Sequence, residues 1–229
     1  MLASTSPARL ALLRAAGIEP DAVPPGVDEE AAVEAEEARL GRALPAEELV
    51  LLLARLKAEA VAARLGRDDA LVLGGDSAFA FDGRVFGKPH TPEAALSRWR
   101  AQRGRTGVLH SGHWLVDARD GDGSGVATSA AVHFAADLDD EELAAYVGSG
   151  EPLEVAGAFT IDGLAGAFID RVEGDPSTVV GLSLPALRRL VLATGTAWPA
   201  LWNRCVVGRS SRTRRTSVGA RQDPDLRRE

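Results

Sequence analysis

The sequence predicts an α/β fold built on a mixed sheet. Helical and strand-like periodicities interleave along the chain, the pattern of a sheet flanked by helices. Asp82-Gly83 is a two-residue hairpin signal, and the turn from Asp120 to Gly125 separates two alternating segments, so part of the sheet is antiparallel. The chain has 229 residues, 45% hydrophobic and 26% charged. That is enough for one large domain or two small lobes, burying roughly 70–75% of the unfolded surface.

Pro7 to Ala16 reads as a helix, with Leu10, Leu13 and Ala16 on one side, Ser6 as N-cap, Pro7 at the first helical position and Gly17 as stop. Asp21 to Leu44 is acidic and proline-bearing and reads as a loop with a short helix. Pro45 opens a long helix to Leu65, whose apolar face is Leu49, Leu52, Leu53, Leu56, Ala60 and Ala63, with Lys57 at its edge and Gly66 after it. Ala70 to Gly74 is a short apolar run, a buried strand ending in Gly75-Asp76-Ser77. Phe79 to Val85 is a hairpin around Asp82-Gly83, followed by Gly87-Lys88-Pro89. Thr91-Pro92 caps a helix running to about Gln102.

Gly107 to Ala118 and Val126 to Phe134 alternate as partner strands. Asp137 to Val147 is an acidic-fronted helix. Ala156 to Ile161 and Gly166 to Val172 read as strands, Glu173 to Ser177 as a loop, and Leu184 to Leu192 as the last helix. From about Trp198 the pattern dissolves. This divides the chain into a domain over residues 1–197 and an Arg-rich tail over 198–229, flexible or a polyanion-binding arm.

Composition limits the function. The net charge is −7, so the body of the molecule does not attract nucleic acid or an anionic membrane, and a polyanionic substrate needs a local cationic pocket. Cys205 is the only cysteine, which excludes an internal disulfide and a multi-cysteine zinc site and fits a reducing, cytoplasmic setting. No apolar run reaches the roughly 18–20 residues that span a bilayer. The N-terminus lacks the basic-then-apolar pattern of a secretion signal.

Three groups of residues carry candidate chemistry. Ser4, Thr5, Ser6, Pro7 and Arg9 place hydroxyls and a guanidinium at a helix start, where unpaired N–H groups favour anions. The same residues also suit a plain capped helix. Asp76, after an apolar strand and between small residues, suits a crevice carboxylate that binds a divalent cation or takes a proton from water, or a turn that only caps backbone groups. Lys57 and Lys88 are point-charge partners for phosphate, or solvated surface charges. Asp28, Glu29 and Asp162 are further carboxylates. His110, His113 and His133 lie in strand-like segments, more in keeping with ordinary strand residues than with a metal site; His90 sits in a loop. Neither a P-loop, a dinucleotide fingerprint nor a nucleophile elbow is present, so cations plus carboxylates point to metal-assisted attack of water on a phosphate chain.

Eight segments in order carry a family resemblance: Leu2 to Arg9, Val27 to Glu29, Leu53 to Ala58, Gly74 to Ser77, Gly87 to Pro89, Tyr146 to Pro152, Ala156 to Gly163 and Gly174 to Leu182. Over about residues 2 to 195 the chain resembles the Maf family of nucleoside triphosphate pyrophosphatases, also called septum formation inhibitor proteins. The resemblance implies a two-lobed fold around a long, twisted mixed sheet with the site in the cleft. It implies hydrolysis of a nucleoside triphosphate to a monophosphate and pyrophosphate with a divalent metal, Mg or Mn, and a homodimer is common among such proteins. Asp76 would accept the proton from water. Ser4, Ser6, Arg9, Lys57 and Lys88 would hold the phosphates, and Glu29 would be an acidic cleft residue, with Asp76 and Glu29 as metal ligands. The chain departs from the family pattern at Ala8, Ser77 and Asp162, positions that bear on base choice, which leaves the base open. Family members also carry a few more strand residues ahead of Leu2. The alternative readings are a non-catalytic nucleotide-binding regulator of cell division, and a nucleic-acid binder using the Arg-rich tail, which the acidic body argues against.

Overall fold

One strand organises the molecule. In the computed structural model, which describes residues 1–65 and 69–203, β2 (Leu71–Phe81) pairs with three of the other strands of a six-stranded sheet. β4 (Thr106–Asp117) pairs antiparallel along one edge of β2, from Leu71 to Ala80. β5 (Gly123–Phe134) and β6 (Ile169–Gly174) follow, each antiparallel to its neighbour.

The other edge of β2 is shared. β1 (Leu2–Ala3) lies parallel against Leu73 and Gly74, and β3 (Arg84–Phe86) lies antiparallel against Phe79 to Phe81. Between them, among the described residues, no strand flanks residues 75–78. The sheet edge therefore has a notch at Gly75, Asp76, Ser77 and Ala78, with a lobe on either side.

The helices explain which faces are covered. α3 (Ala46–Leu65) crosses one face of the lower half, where Ala58 and Val61 pack with Ala3, Val72 and Val116. The opposite face of the lower half is filled by Leu73 and Leu115 under α1 (Pro7–Ala15) and α7 (Leu184–Ala193), through Leu13, Leu187 and Val191. In the upper half that same face carries the aromatic core. Phe79, Phe134 and Phe159 pack edge to face with one another, and Phe134 also with Trp99 of α4 (Pro92–Gln102), which meets Tyr146 of α5 (Asp140–Gly148) in the same way. Such pairs add to simple area burial.

The interleaved elements and the Asp82-Gly83 hairpin are as the sequence predicts, with both turn residues at positive φ. Four local expectations need correction. First, the acidic stretch before Pro45 contains a twelve-residue helix, α2 (Glu29–Leu40), capped by Asp28 and stopped by Gly41 in the left-handed region. None of its residues is fully buried, and its half-buried face, Ala32, Val33, Glu36, Glu37 and Leu40, is too polar to announce it. Second, Gly75-Asp76-Ser77 is not a turn at a strand's tip, because β2 runs straight through it. The small residues serve clearance. A Cβ on Gly74 would stand 2.0 Å from the Ala54 carbonyl of α3, and one on Gly75 3.0 Å from Arg9 Nε on the other face.

Third, Ala156 to Ile161 is not a strand. Gly157 and Ala158 have positive φ, and their carbonyls accept from Gln102 Nε2 and Trp99 Nε1. The next strand starts at Ile169 and reaches Gly174, beyond the expected end, and α6 (Pro176–Val180) follows where a loop was expected. Fourth, α3 is rotated from its expected face. Its buried stripe is Ala46, Val50, Leu53, Ala54, Lys57, Ala58 and Val61, while Leu49, Leu52 and Leu56 are half-buried. Close approach to the sheet at Gly74 and Gly112 selects small residues over leucines. Residues 198–203 begin with a short helical turn, and Trp198 and Leu201 pack on the α1–α7 core. Gly66, Arg204, Cys205 and the rest of the Arg-rich segment lie outside the described residues.

Candidate functional site

The notch in the sheet edge is where charge collects. Alternation along β2 sends Asp76 to the α3 face and Ser77 to the α1 face. Lys57, on the buried stripe of α3, puts Nζ 2.7 Å from Asp76 Oδ1 and 2.9 Å from Glu29 Oε1 of α2. Lys57 is therefore a buried group, with its side chain only 8% exposed, rather than an edge or surface lysine. Burial pushes the Asp76 pKa up, against the pull of the Lys57 and Arg9 cations.

Arg9 lies on the other side of β2 and is itself buried. Ser6 caps α1 by accepting from the Arg9 backbone N–H, and the Arg9 side chain turns back to the sheet. Its Nε donates to the Gly181 carbonyl at 2.8 Å, NH1 to Ser4 Oγ at 3.2 Å and NH2 to Ser77 Oγ at 2.9 Å. All three partners are neutral. A guanidinium has five N–H donors, so one on each terminal nitrogen is left over among the described residues. Burial lowers the Arg9 pKa, opposed by Asp76 and Glu29; a guanidinium stays charged all the same. Ser4 Oγ accepts from Arg9 and from the Ser6 N–H, and Ser6 Oγ from the Arg9 N–H, so both hydroxyl protons remain to donate.

Ser77 is committed inward. Ser111 Oγ donates to the Thr178 carbonyl at 2.9 Å, so the 2.9 Å contact between the two serines takes its proton from Ser77. Ser77 thus accepts from Arg9 and passes a hydrogen bond to Ser111. Sequence reasoning missed Ser111, Thr178 and the Gly181 carbonyl. Only the fold brings them to Arg9, since Gly181 lies 172 residues away along the chain.

The family model described as "Maf-like protein" matches residues 1–194. The chain belongs to the Maf family. A protein named nucleoside triphosphate pyrophosphatase from Leifsonia xyli subsp. xyli is 64% identical, over 90% of this chain and 97% of that one. Proteins of the same name from Salinispora tropica and Streptomyces coelicolor are 54% and 49% identical, over 89% and 88% of this chain and 87% and 93% of their own.

The other residues marked by the Maf resemblance are spread around this centre. Lys88 follows β3, and continuing the β2–β3 register would set it opposite Ser77, at the upper rim of the notch. Its Nζ engages Glu154 at 3.4 Å, an exposed pair shared with His90, and no hydrogen bond joins it to Asp76 or Lys57 among the described residues. Arg98 of α4 donates to the Gly87 carbonyl at 2.5 Å and so anchors this loop. Asp162 is exposed on a loop that Glu151 organises by accepting from Thr160 Oγ1, Tyr146 Oη and the N–H groups of Leu164 and Ala165. Burial acts to raise the Glu151 pKa, yet these hydrogen bonds outweigh it and the net shift is downward. Ala8 is half-buried in the first turn of α1.

The three strand histidines do not meet. His113 is buried on the α1 side of β4, donating Nδ1–H to the Val126 carbonyl and accepting the Ser183 N–H at Nε2. His110 and His133 lie on the other face, beside Glu47 and Glu173 respectively. Among the described residues no group of three or more His, Cys, Asp or Glu could hold a metal ion, and no helix is long and apolar enough to cross a membrane. Two carboxylates, Asp76 and Glu29, do converge on one point, which Lys57 Nζ fills. Hard divalent cations often take one or two carboxylates and complete their shell with water and substrate phosphate. The donor set fits a metal carried in with a triphosphate.

Proposed function

We propose that this Maf-family chain hydrolyses nucleoside triphosphates to the monophosphate and pyrophosphate, with Asp76 taking the proton from the attacking water. The observation that carries the reading is the buried, carboxylate-free guanidinium of Arg9 next to the Asp76–Lys57–Glu29 cluster. A buried cation bonded only to neutral oxygens, with donors to spare, is an anion socket. Ser4 and Ser6 hold free hydroxyl protons beside it, and Lys88 stands at the rim with an exposed, exchangeable partner.

Burial supports the role of Asp76. A carboxylate pushed toward the working pH is a better proton acceptor, and the neighbouring cations keep it ionised. Lys57 bridges Asp76 to Glu29, which holds the carboxylate oriented until substrate arrives. Arg9, Ser4 and Ser6 would grip phosphoryl oxygens from the α1 side, so that water at Asp76 attacks the α-phosphorus and pyrophosphate leaves. The charges of Arg9, Lys57, Asp76 and the more exposed Glu29 cancel, so a triphosphate needs further positive charge. Magnesium or manganese on Asp76 and Glu29 would supply it and polarise the phosphoryl group. A cytoplasmic address and a homodimer belong to the same reading.

The test is a panel of common and modified nucleoside triphosphates, with magnesium and with manganese, assayed for pyrophosphate against orthophosphate. Pyrophosphate and monophosphate in equal amounts are expected. Nucleotide binding without turnover at any metal concentration would favour the regulator of cell division instead.

A further inference from the structure

Arg9 and Lys57 stand on helices packed against the sheet, whereas Lys88 stands on the loop between β3 and α4. Its ammonium is exposed, and so is the Glu154 carboxylate it pairs with at 3.4 Å. Such a surface pair is worth little and exchanges readily. The reach of the Lys88 ammonium is therefore set by its backbone.

That backbone is pinned on both sides. After Lys88, Pro89 is buried and the His90 N–H donates to the Leu153 carbonyl at 3.0 Å. Before it, Arg98 Nη1 donates to the Gly87 carbonyl at 2.5 Å. The Gly87 carbonyl and the Lys88 N–H belong to one planar peptide unit, so a grip on the first sets the orientation of the second.

Arg98 is itself firmly held. Its α4 neighbours Ala95, Trp99 and Gln102 are buried in the upper lobe, and its guanidinium lies over the Phe86 ring, 5.1 Å from the centroid. No carboxylate takes it up among the described residues, and burial lowers its pKa. Half-burying a cation without a counter-ion costs free energy. An apolar side chain would cover Phe86 without that cost, so what the guanidinium adds is the bond to Gly87.

We propose that Arg98 is a positioning residue for the reaction: it holds the Gly87–Lys88 peptide at the rim of the notch, so that the Lys88 ammonium can leave Glu154 for the phosphate chain. The role of Lys88 is taken from the pyrophosphatase reading, on which this proposal rests. Arg98 lies outside the eight segments that carry the Maf resemblance.

A double-mutant cycle on the full chain tests it. Arg98→Met keeps an apolar stem over Phe86 and removes the donor, Arg98→Lys keeps a cationic donor, and Lys88→Ala supplies the other arm. Dissociation constants for inorganic tripolyphosphate with magnesium are measured by calorimetry, beside thermal melts and KM and kcat for a nucleoside triphosphate. Arg98→Met should weaken tripolyphosphate binding and raise KM by about three- to thirtyfold, with kcat moved much less. Arg98→Lys should recover part of the loss. In the Lys88→Ala background, Arg98→Met should change the affinity no further. Tripolyphosphate affinity unchanged in Arg98→Met, even with a lowered melting temperature, would reduce Arg98 to packing and overturn the proposal. So would an equal loss with and without Lys88, or wild-type affinity in Lys88→Ala. Pyrophosphate release is measured separately. Coupling without release sinks the enzymatic reading and spares the role of Arg98 in holding Lys88 to phosphate; release without coupling does the reverse.

Discussion

Arg9 and Asp76 sit on opposite faces of one strand and make different demands on a substitution. Arg9→Lys keeps the charge but loses the planar fork that reaches Gly181, Ser4 and Ser77 together. Hydrogen bonds to charged groups are worth about 1.5–3 kcal/mol each, so KM for a nucleoside triphosphate should rise about ten- to a hundredfold, and the melting temperature should fall as the three acceptors lose their donor. Steady-state kinetics with a thermal melt reads both. Asp76→Asn changes little volume, and Lys57 keeps Glu29 as a partner at 2.9 Å. The fold should therefore hold while kcat drops about 10²–10⁴-fold, the range for a lost general base. An Asn variant that retains most of its turnover removes Asp76 from the proton-accepting role.

At the scale of elements, α3 decides whether Lys57 meets Asp76. The helix rides so close to β2 that a methyl group on Gly74 has no room, with the Ala54 carbonyl, the Ala58 nitrogen and the Ala58 Cβ all within 3 Å. Gly74→Ala should lift α3 from the sheet, at a cost of about 1–3 kcal/mol or more, and pull Lys57 away from Asp76. A urea midpoint shift accompanied by a fall in kcat tests this; stability lost with kcat intact would separate α3 placement from catalysis. The same contact explains what was legible in the sequence. Helix starts at Ser6 and Thr91 and the Asp82-Gly83 hairpin use local chemistry, and they stand where the sequence put them. The α3 face and the course of β2 through Gly75-Asp76-Ser77 depend on what packs against them. Leucine periodicity pointed to the half-buried flank, and two glycines in extended backbone looked like a turn. α2 was bracketed by Asp28 and Gly41, but an acidic helix with no fully buried residue, and two glutamates on its half-buried face, carries little periodic signal. Within the site, Ser4, Ser6, Arg9, Lys57 and Asp76 were readable from their motifs. The Gly181 carbonyl and the Ser77–Ser111 link were not, because each is made by contacts more than thirty residues apart.

For the whole molecule, His113 is the joint between the sheet and the segment that holds Arg9. It ties β4 to the Val126 carbonyl of β5 and, through Nε2, to the Ser183 N–H just after Gly181. Both bonds together require the neutral ring with its proton on Nδ1. Burial, the largest cause, lowers the His113 pKa from 6.5 to about 4. The unfolded chain therefore takes up a proton before the native one does, and stability rises with pH across this window. The contribution of His113 is complete above about pH 6.5 and is lost as the pH falls toward 4, a difference of about 3 kcal/mol. Asp76 acts in the opposite sense, since its raised pKa lets the native state bind a proton before the unfolded state. Comparison with His113→Gln isolates the histidine. Urea midpoints of the wild type at pH 7, 5.5 and 4.5 should fall more steeply than those of the Gln variant, which cannot titrate. Because Ser183 and Gly181 belong to one turn, KM should rise over the same acid range in the wild type and less so in the variant. Parallel pH profiles for the two proteins would show that His113 titrates equally in the folded and unfolded chains, and that the sheet and the arginine socket are not coupled through it.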